Sequence, residues 1–151
     1  MTMDLGWNRQ TFAFAMALQN LVYGIAQPFT GMIADRFGAR TVFRSAIIIF
    51  LCGSIACANA PNVAFLVVAR FFEGVGGALM MPVGRLVLLK SVEKSQLVTA
   101  MSTLSIPALL GPVIGPPLGG AISTWFHWRW IFLINIPIGL LGIYLATRHV
   151  P

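Results

Sequence analysis

Charge is scarce in this chain, and acid is its scarcest part. The 151 residues hold four Asp and Glu against ten Lys and Arg, 9% charged in all, where a soluble domain carries about a quarter. A water-soluble globule of this size would lack solvating surface, so that class is excluded. Cysteine is nearly absent. Cys52 and Cys57 lie five apart in one apolar run, where they form neither a disulfide framework nor a metal set and read as small apolar packing residues. The first ten residues lack the basic stretch that opens a signal peptide, and the apolar run after them is too long to be a signal core. His127 and His149 sit at segment boundaries, far apart, with no nucleophile, metal set or phosphate loop. Neither an enzyme nor a cofactor is expected.

What is present is apolar. Hydrophobic residues make up 58%, with 15 Gly and 9 Pro and a mean hydropathy of +0.85. Gly and Pro are commoner in membrane helices than in soluble ones. The expected class is all-α integral membrane protein. A net charge of +6 would suggest nucleic-acid binding in a soluble protein; here the cations read as topology signals, and no nucleic-acid partner is expected.

A spanning helix takes about 20 residues, so the chain has room for five spans. Residues 10–34 contain no charged residue, enough for about 37 Å of helix, and make span a. Span b covers 42–59, and Ala60-Pro61-Asn62 is a turn signal. Span c covers 63–89, with Arg70 and Glu73 inside it. Span d covers 97–123 and contains Pro107, Pro112, Pro116 and Pro117, so a bend is expected. Span e covers 131–147, preceded by Trp128 and Trp130, which read as interfacial anchors. These five spans are taken as one partial transmembrane domain, 1–151.

The cations divide unevenly. Arg36, Arg40, Arg44, Arg85, Lys90, Lys94 and Arg148 fall on one side, Arg9 and Arg129 on the other, and Arg70 within a span. The positive-inside rule then makes the a/b and c/d loops cytoplasmic. The N-terminus is expected outside and the C-terminus inside, as it would be with one preceding helix missing.

Three patterns carry the functional reading. The a/b turn contains Gly31, Asp35, Arg36, Gly38 and Arg40. Gly31 would let another backbone approach, and Gly38 suits a tight turn. Asp35, near a helix C-terminus where the macrodipole disfavours an anion, is expected to have a partner: Arg36, Arg40 or Arg44, or the N-terminus of another helix. In span c, Arg70 would be costly at depth unless paired or hydrated. Glu73 lies three residues on, on the same face; snorkelling over about 10 Å to the outer interface is the alternative. In span d, Gly111, Gly115 and Gly119 recur every four residues as a smooth packing face, beside Pro116.

The a/b turn resembles the signature loop of the major facilitator superfamily, Gly-x-x-x-Asp-Arg-x-Gly-x-Arg, at every fixed position. That resemblance implies a conformational latch made of Gly31, Asp35, Arg36, Gly38 and Arg40. Span c is similar to the fourth-helix motif of proton-coupled members, with Glu73 where Gln is usual. It implies a proton-coupling role for Arg70 and Glu73. Span d, with Gly111, Gly115, Pro116, Gly119 and Gly120, resembles the fifth-helix antiporter motif. Residues 128–139 and 80–89 resemble the fourteen-helix drug:proton antiporter branch, whereas residues 4–31 look more like the anion and monocarboxylate branch.

The resemblance implies helices two to six of a six-helix bundle. The expected function is proton-coupled efflux, by antiport, of small lipophilic or drug-like compounds across the cell inner membrane, by a fragment inactive alone. Its partners would be the lipid bilayer, a missing transporter half or complementing subunit, a periplasmic adaptor and a small-molecule substrate. The alternatives are a nontransporting membrane interaction protein or remnant, and an organic-anion or monocarboxylate transporter fragment.

Overall fold

Pro28 breaks the first apolar segment. In the computed structural model, which describes residues 9–149, helix α1 (Arg9–Ala26) gives way to a 3-10 turn over Gln27–Phe29, because Pro28 has no N–H to continue the α ladder. Thr30 Oγ1 donates to the Gln27 carbonyl at 2.7 Å, and α2 (Thr30–Phe37) follows. Span a is thus helical, but as two pieces rather than the single helix expected over 10–34. The tight turn after it is made by Gly38 at φ 85° and ψ 132°, a conformation that a side chain strongly disfavours.

Helix α3 (Ala39–Ala58) ends at Asn59, whose backbone N–H still reaches the Ile55 carbonyl at 3.1 Å. After the turn at Pro61, the Asn62 side chain accepts from the Phe65 N–H at 2.8 Å, an N-cap that starts α4 (Val63–Ser91). A second 3-10 turn, Lys94–Gln96, leads into α5 (Leu97–Trp125), which runs as one helix through all four prolines. Short α6 (Trp130–Leu133) and α7 (Asn135–His149) complete the described residues. Pro137 falls in the first turn of α7, where a missing N–H is tolerated.

Four helical stretches are long and apolar enough to cross a membrane: Ala39–Ala58, Val63–Ser91, Lys94–Trp125 and Trp130–Arg148. They correspond to spans b to e; interrupted span a is not among them. The fold is all-α, as expected.

Helix α4 is the hub. It packs most extensively on α3 and next on α1, while α3 also packs on α7 and α6. Glycines set the closest approaches. A Cβ on Gly76 would lie 2.6 Å from the Phe50 backbone nitrogen, and one on Gly53 would lie 2.9 Å from that of Glu73. Gly74 faces the Gln19 carbonyl in the same way, at 2.9 Å. Gly74 and Gly76 thus let α4 pack its backbone closely against α1 and α3. One apolar cluster, including Ala15, Cys57, Leu66, Trp128 and Phe132, joins α1, α3, α4 and α6; a second, including Ala34, Val42, Ala46, Leu79 and Val83, lies between α2, α3 and α4.

Helix α5 stands apart. None of its residues is buried, and its contacts of any extent are with α6 and the 3-10 turn before it. Among the described residues nothing packs on the expected seam: a Cβ at Gly111, Gly115, Gly119 or Gly120 would meet none of their atoms within 4 Å.

Candidate functional site: a buried ion pair and its polar shell

Arg70 and Glu73 sit one helical turn apart on α4, where a charge at depth needs compensation. Arg70 is 8% exposed and Glu73 1%, so neither snorkels. Arg70 Nη1 donates to Glu73 Oε2 at 2.8 Å. The same nitrogen donates to Gln19 Oε1 of α1 at 2.5 Å, and Nη2 reaches Met16 Sδ at 2.9 Å. The guanidinium carbon lies 4.6 Å from the ring centre of Phe132 on α6, a cation–π contact strengthened by desolvation.

Glu73 is held from the other side by α3. Ser54 Oγ donates to Oε1 at 2.6 Å and Cys57 Sγ to Oε2 at 3.7 Å. Asn135 Nδ2, at the start of α7, donates to Ser54 Oγ at 3.1 Å. One network therefore joins α1, α3, α4 and α7. Sequence reasoning found its two charges and missed Gln19, Met16, Ser54 and Asn135. Cys57, read as an apolar packing residue, does lie in the apolar cluster, and its thiol is also 3.7 Å from the Glu73 carboxylate.

The turn residues are arranged otherwise than expected. Asp35 and Arg36 are exposed at the end of α2, and Asp35 has no ion pair among the described residues. Arg36 lies over the Phe37 ring at 5.7 Å. Arg40 and Arg44, which could have paired with Asp35, both donate to the Thr147 carbonyl instead, at 3.0 and 3.2 Å. The last carbonyls of a helix lack intrahelical donors, and two cations there also suit its dipole. No group lies within 4 Å of a Cβ built on Gly31, so the close backbone approach expected there is absent among the described residues.

Of the two expected anchors, Trp130 is 55% exposed whereas Trp128 is 2% exposed. The Trp128 ring meets Phe132 edge-on at 6.0 Å, and Arg129 lies 5.5 Å from its centre. Trp128 is a core residue rather than an interfacial anchor. Two clefts run between the first two helices and α4. The larger, about 540 Å³, includes Gln27, Pro28 and Arg85, and the smaller, about 250 Å³, includes Thr30, Gly31 and Leu86. Neither is lined by Arg70 or Glu73.

Fold and site define a multi-span helical membrane protein with a charged cluster inside its bundle. The chain belongs to the Major Facilitator Superfamily, a family of transporters, whose model matches residues 1–151. It is 48% identical over 142 residues to "Probable transport protein HsrA" of Haemophilus influenzae, covering 91% of this chain and 30% of that protein. It is similar to "Putative multidrug resistance protein MdtD" of Klebsiella pneumoniae subsp. pneumoniae, at 46% identity over 81% of this chain and 26% of that protein. The protein of the same name in Yersinia enterocolitica is 42% identical over 97% of this chain and 31% of its own length. The chain thus spans about three-tenths of the length of these curated relatives.

Proposed function

We propose that these helices serve proton-coupled efflux of small lipophilic or drug-like compounds across the inner membrane. In the longer relatives' architecture, other helices supply the rest of the transporter, and a periplasmic adaptor is a further partner. The reading rests on one observation: a buried Arg70–Glu73 pair, held by uncharged polar groups from three other helices. Glu73 is the group that exchanges the proton, and Arg70 is its ion-pair partner. The names of the relatives support the substrate class.

Gly31, Asp35, Arg36, Gly38 and Arg40 act as the latch at the cytoplasmic face. Exposed, and with no ion pair among the described residues, Asp35 is placed to meet a helix N-terminus. The test is transport by an intact transporter that contains these helices, in proteoliposomes with an imposed pH gradient and a fluorescent lipophilic cation, comparing wild type with Glu73→Gln. Gradient-driven efflux should be lost in the variant, and undiminished coupling would remove Glu73 from the mechanism.

One observation favours a second reading, a nontransporting role in binding other helices. Among the described residues, nothing packs on the Gly111, Gly115 and Gly119 face of α5. Transport by the reconstituted protein would exclude it.

A further inference from the structure

The two oxygens of Glu73 keep unlike company. Oε2 receives Arg70 Nη1 at 2.8 Å and Cys57 Sγ at 3.7 Å; Oε1 receives the Ser54 hydroxyl at 2.6 Å. A guanidinium only donates and a thiol accepts weakly, whereas a hydroxyl both donates and accepts. Ser54 is therefore the strong partner that can reverse its role. Behind it, Asn135 Nδ2 donates to Ser54 Oγ at 3.1 Å. Asn135 is the first residue of α7, directly after the interruption at Ile134. From Asn135 through Ser54, every donor in this chain points toward the carboxylate.

We propose that Ser54 and Asn135 are positioning residues that carry the protonation state of Glu73 to the start of the last helix, by reversal of this hydrogen-bond chain. The proposal rests on the reading of Glu73 as the proton-exchanging group. The carboxylate takes a proton delivered by water and becomes the neutral acid, and the ion pair passes from neutral to singly positive. No other covalent bond forms or breaks. The proton settles on Oε1, because on Oε2 it would face the Arg70 N–H. Oε1–H then donates to Ser54 Oγ, and the Ser54 hydroxyl turns to Asn135. The amide must now present Oδ1 where it had presented Nδ2. That half-turn exchanges a donor for an acceptor at the point where α7 meets α3.

The other ionisable groups facing Glu73 are Cys57 from α3 and Arg70 from its own helix. Helix α1 brings Gln19 and Met16 to Arg70, α6 brings Phe132 and α7 brings Asn135, none of which titrates. Arg70 keeps its charge throughout, and Cys57 stands on the opposite oxygen from the chain. Glu73 is thus the group able to start the reversal.

The experiment is infrared difference spectroscopy between acid and neutral pH on the intact protein in lipid vesicles. The protonated carboxyl stretch of Glu73 is identified by its loss in Glu73→Gln. Ser54→Ala should move that band to higher frequency, since the acid loses its acceptor, and Ser54→Thr should leave it in place. Asn135→Ala should move it less, and should add nothing in the Ser54→Ala background. If Ser54→Ala fails to fold, Asn135→Ala against wild type decides the matter. A band that neither variant moves, or shifts that simply add, would overturn the proposal while leaving proton exchange at Glu73 intact. Absence of any Glu73-dependent band would overturn the proton-exchange reading and this proposal with it.

Discussion

Arg40 reaches across the end of the bundle to Thr147, its Nη2 donating to the backbone carbonyl at 3.0 Å. Arg44, one turn along α3, donates to the same oxygen at 3.2 Å. Either cation alone can satisfy that carbonyl, so the pair is redundant. Arg40→Ala or Arg44→Ala should each cost below about 0.5 kcal/mol, and the double variant about 1 kcal/mol, the usual value of a cation and hydrogen bond at a helix C-terminus. Amide hydrogen exchange over residues 144–148 should rise sharply only in the double variant.

The Arg70–Glu73 pair should show the opposite behaviour. Arg70→Ala leaves a buried carboxylate with only Ser54 and Cys57 beside it, a loss of roughly 3–5 kcal/mol. Replacing both, Arg70→Met with Glu73→Met, should recover much of that, because no uncompensated charge remains. Thermal denaturation in detergent would measure both. Equal destabilisation by the single and double variants would contradict the pairing energetics.

Two glycines inside long apolar helices should respond differently. Gly76→Ala drives a Cβ into the backbone of Phe50 and Ala46, at 2.6 and 2.9 Å, and backbone cannot give way as a side chain can. A loss of about 1–3 kcal/mol is expected. Gly115→Ala meets nothing within 4 Å and should leave the packing of these helices unchanged. The melting temperatures of the two variants separate the cases.

Gly38 has a backbone rather than a packing requirement. At φ 85° and ψ 132°, Gly38→Ala should cost about 1–3 kcal/mol, although space around it is open. Gly31→Ala, equally unobstructed but helical, should be nearly neutral. Proteolysis rates at the turn compare the two.

The spans were legible because lipid leaves the backbone few choices: an apolar run of sufficient length must be helical. The ion pair was legible for a related reason, since charges within such a run are rare enough to stand out. Its polar shell was not. Gln19, Ser54 and Asn135 lie 51, 19 and 81 residues from their partners, and an uncharged polar residue in an apolar segment marks nothing by itself. Trp128 was misread because an indole near a span boundary looks the same in sequence whether it turns to lipid or to the core. The break at Pro28 carried a local signal that the long uncharged run of span a obscured. Asp35 has no ion pair among the described residues, while Arg40 and Arg44 donate to the Thr147 carbonyl, more than a hundred residues along the chain and invisible as a partner in the local sequence.

The contact between Gly53 and Glu73 also constrains how Glu73 can be wetted. With the backbones of α3 and α4 so close that a Cβ on Gly53 would lie 2.9 Å from the Glu73 nitrogen, no gap remains there for a water molecule, which needs roughly 10–15 Å³ of free volume. That seam is dry. Gln19 on α1 and Asn135 on α7 stand half-buried beside the pair, so the polar groups nearest the carboxylate that are not fully buried belong to those two helices and not to the α3–α4 seam.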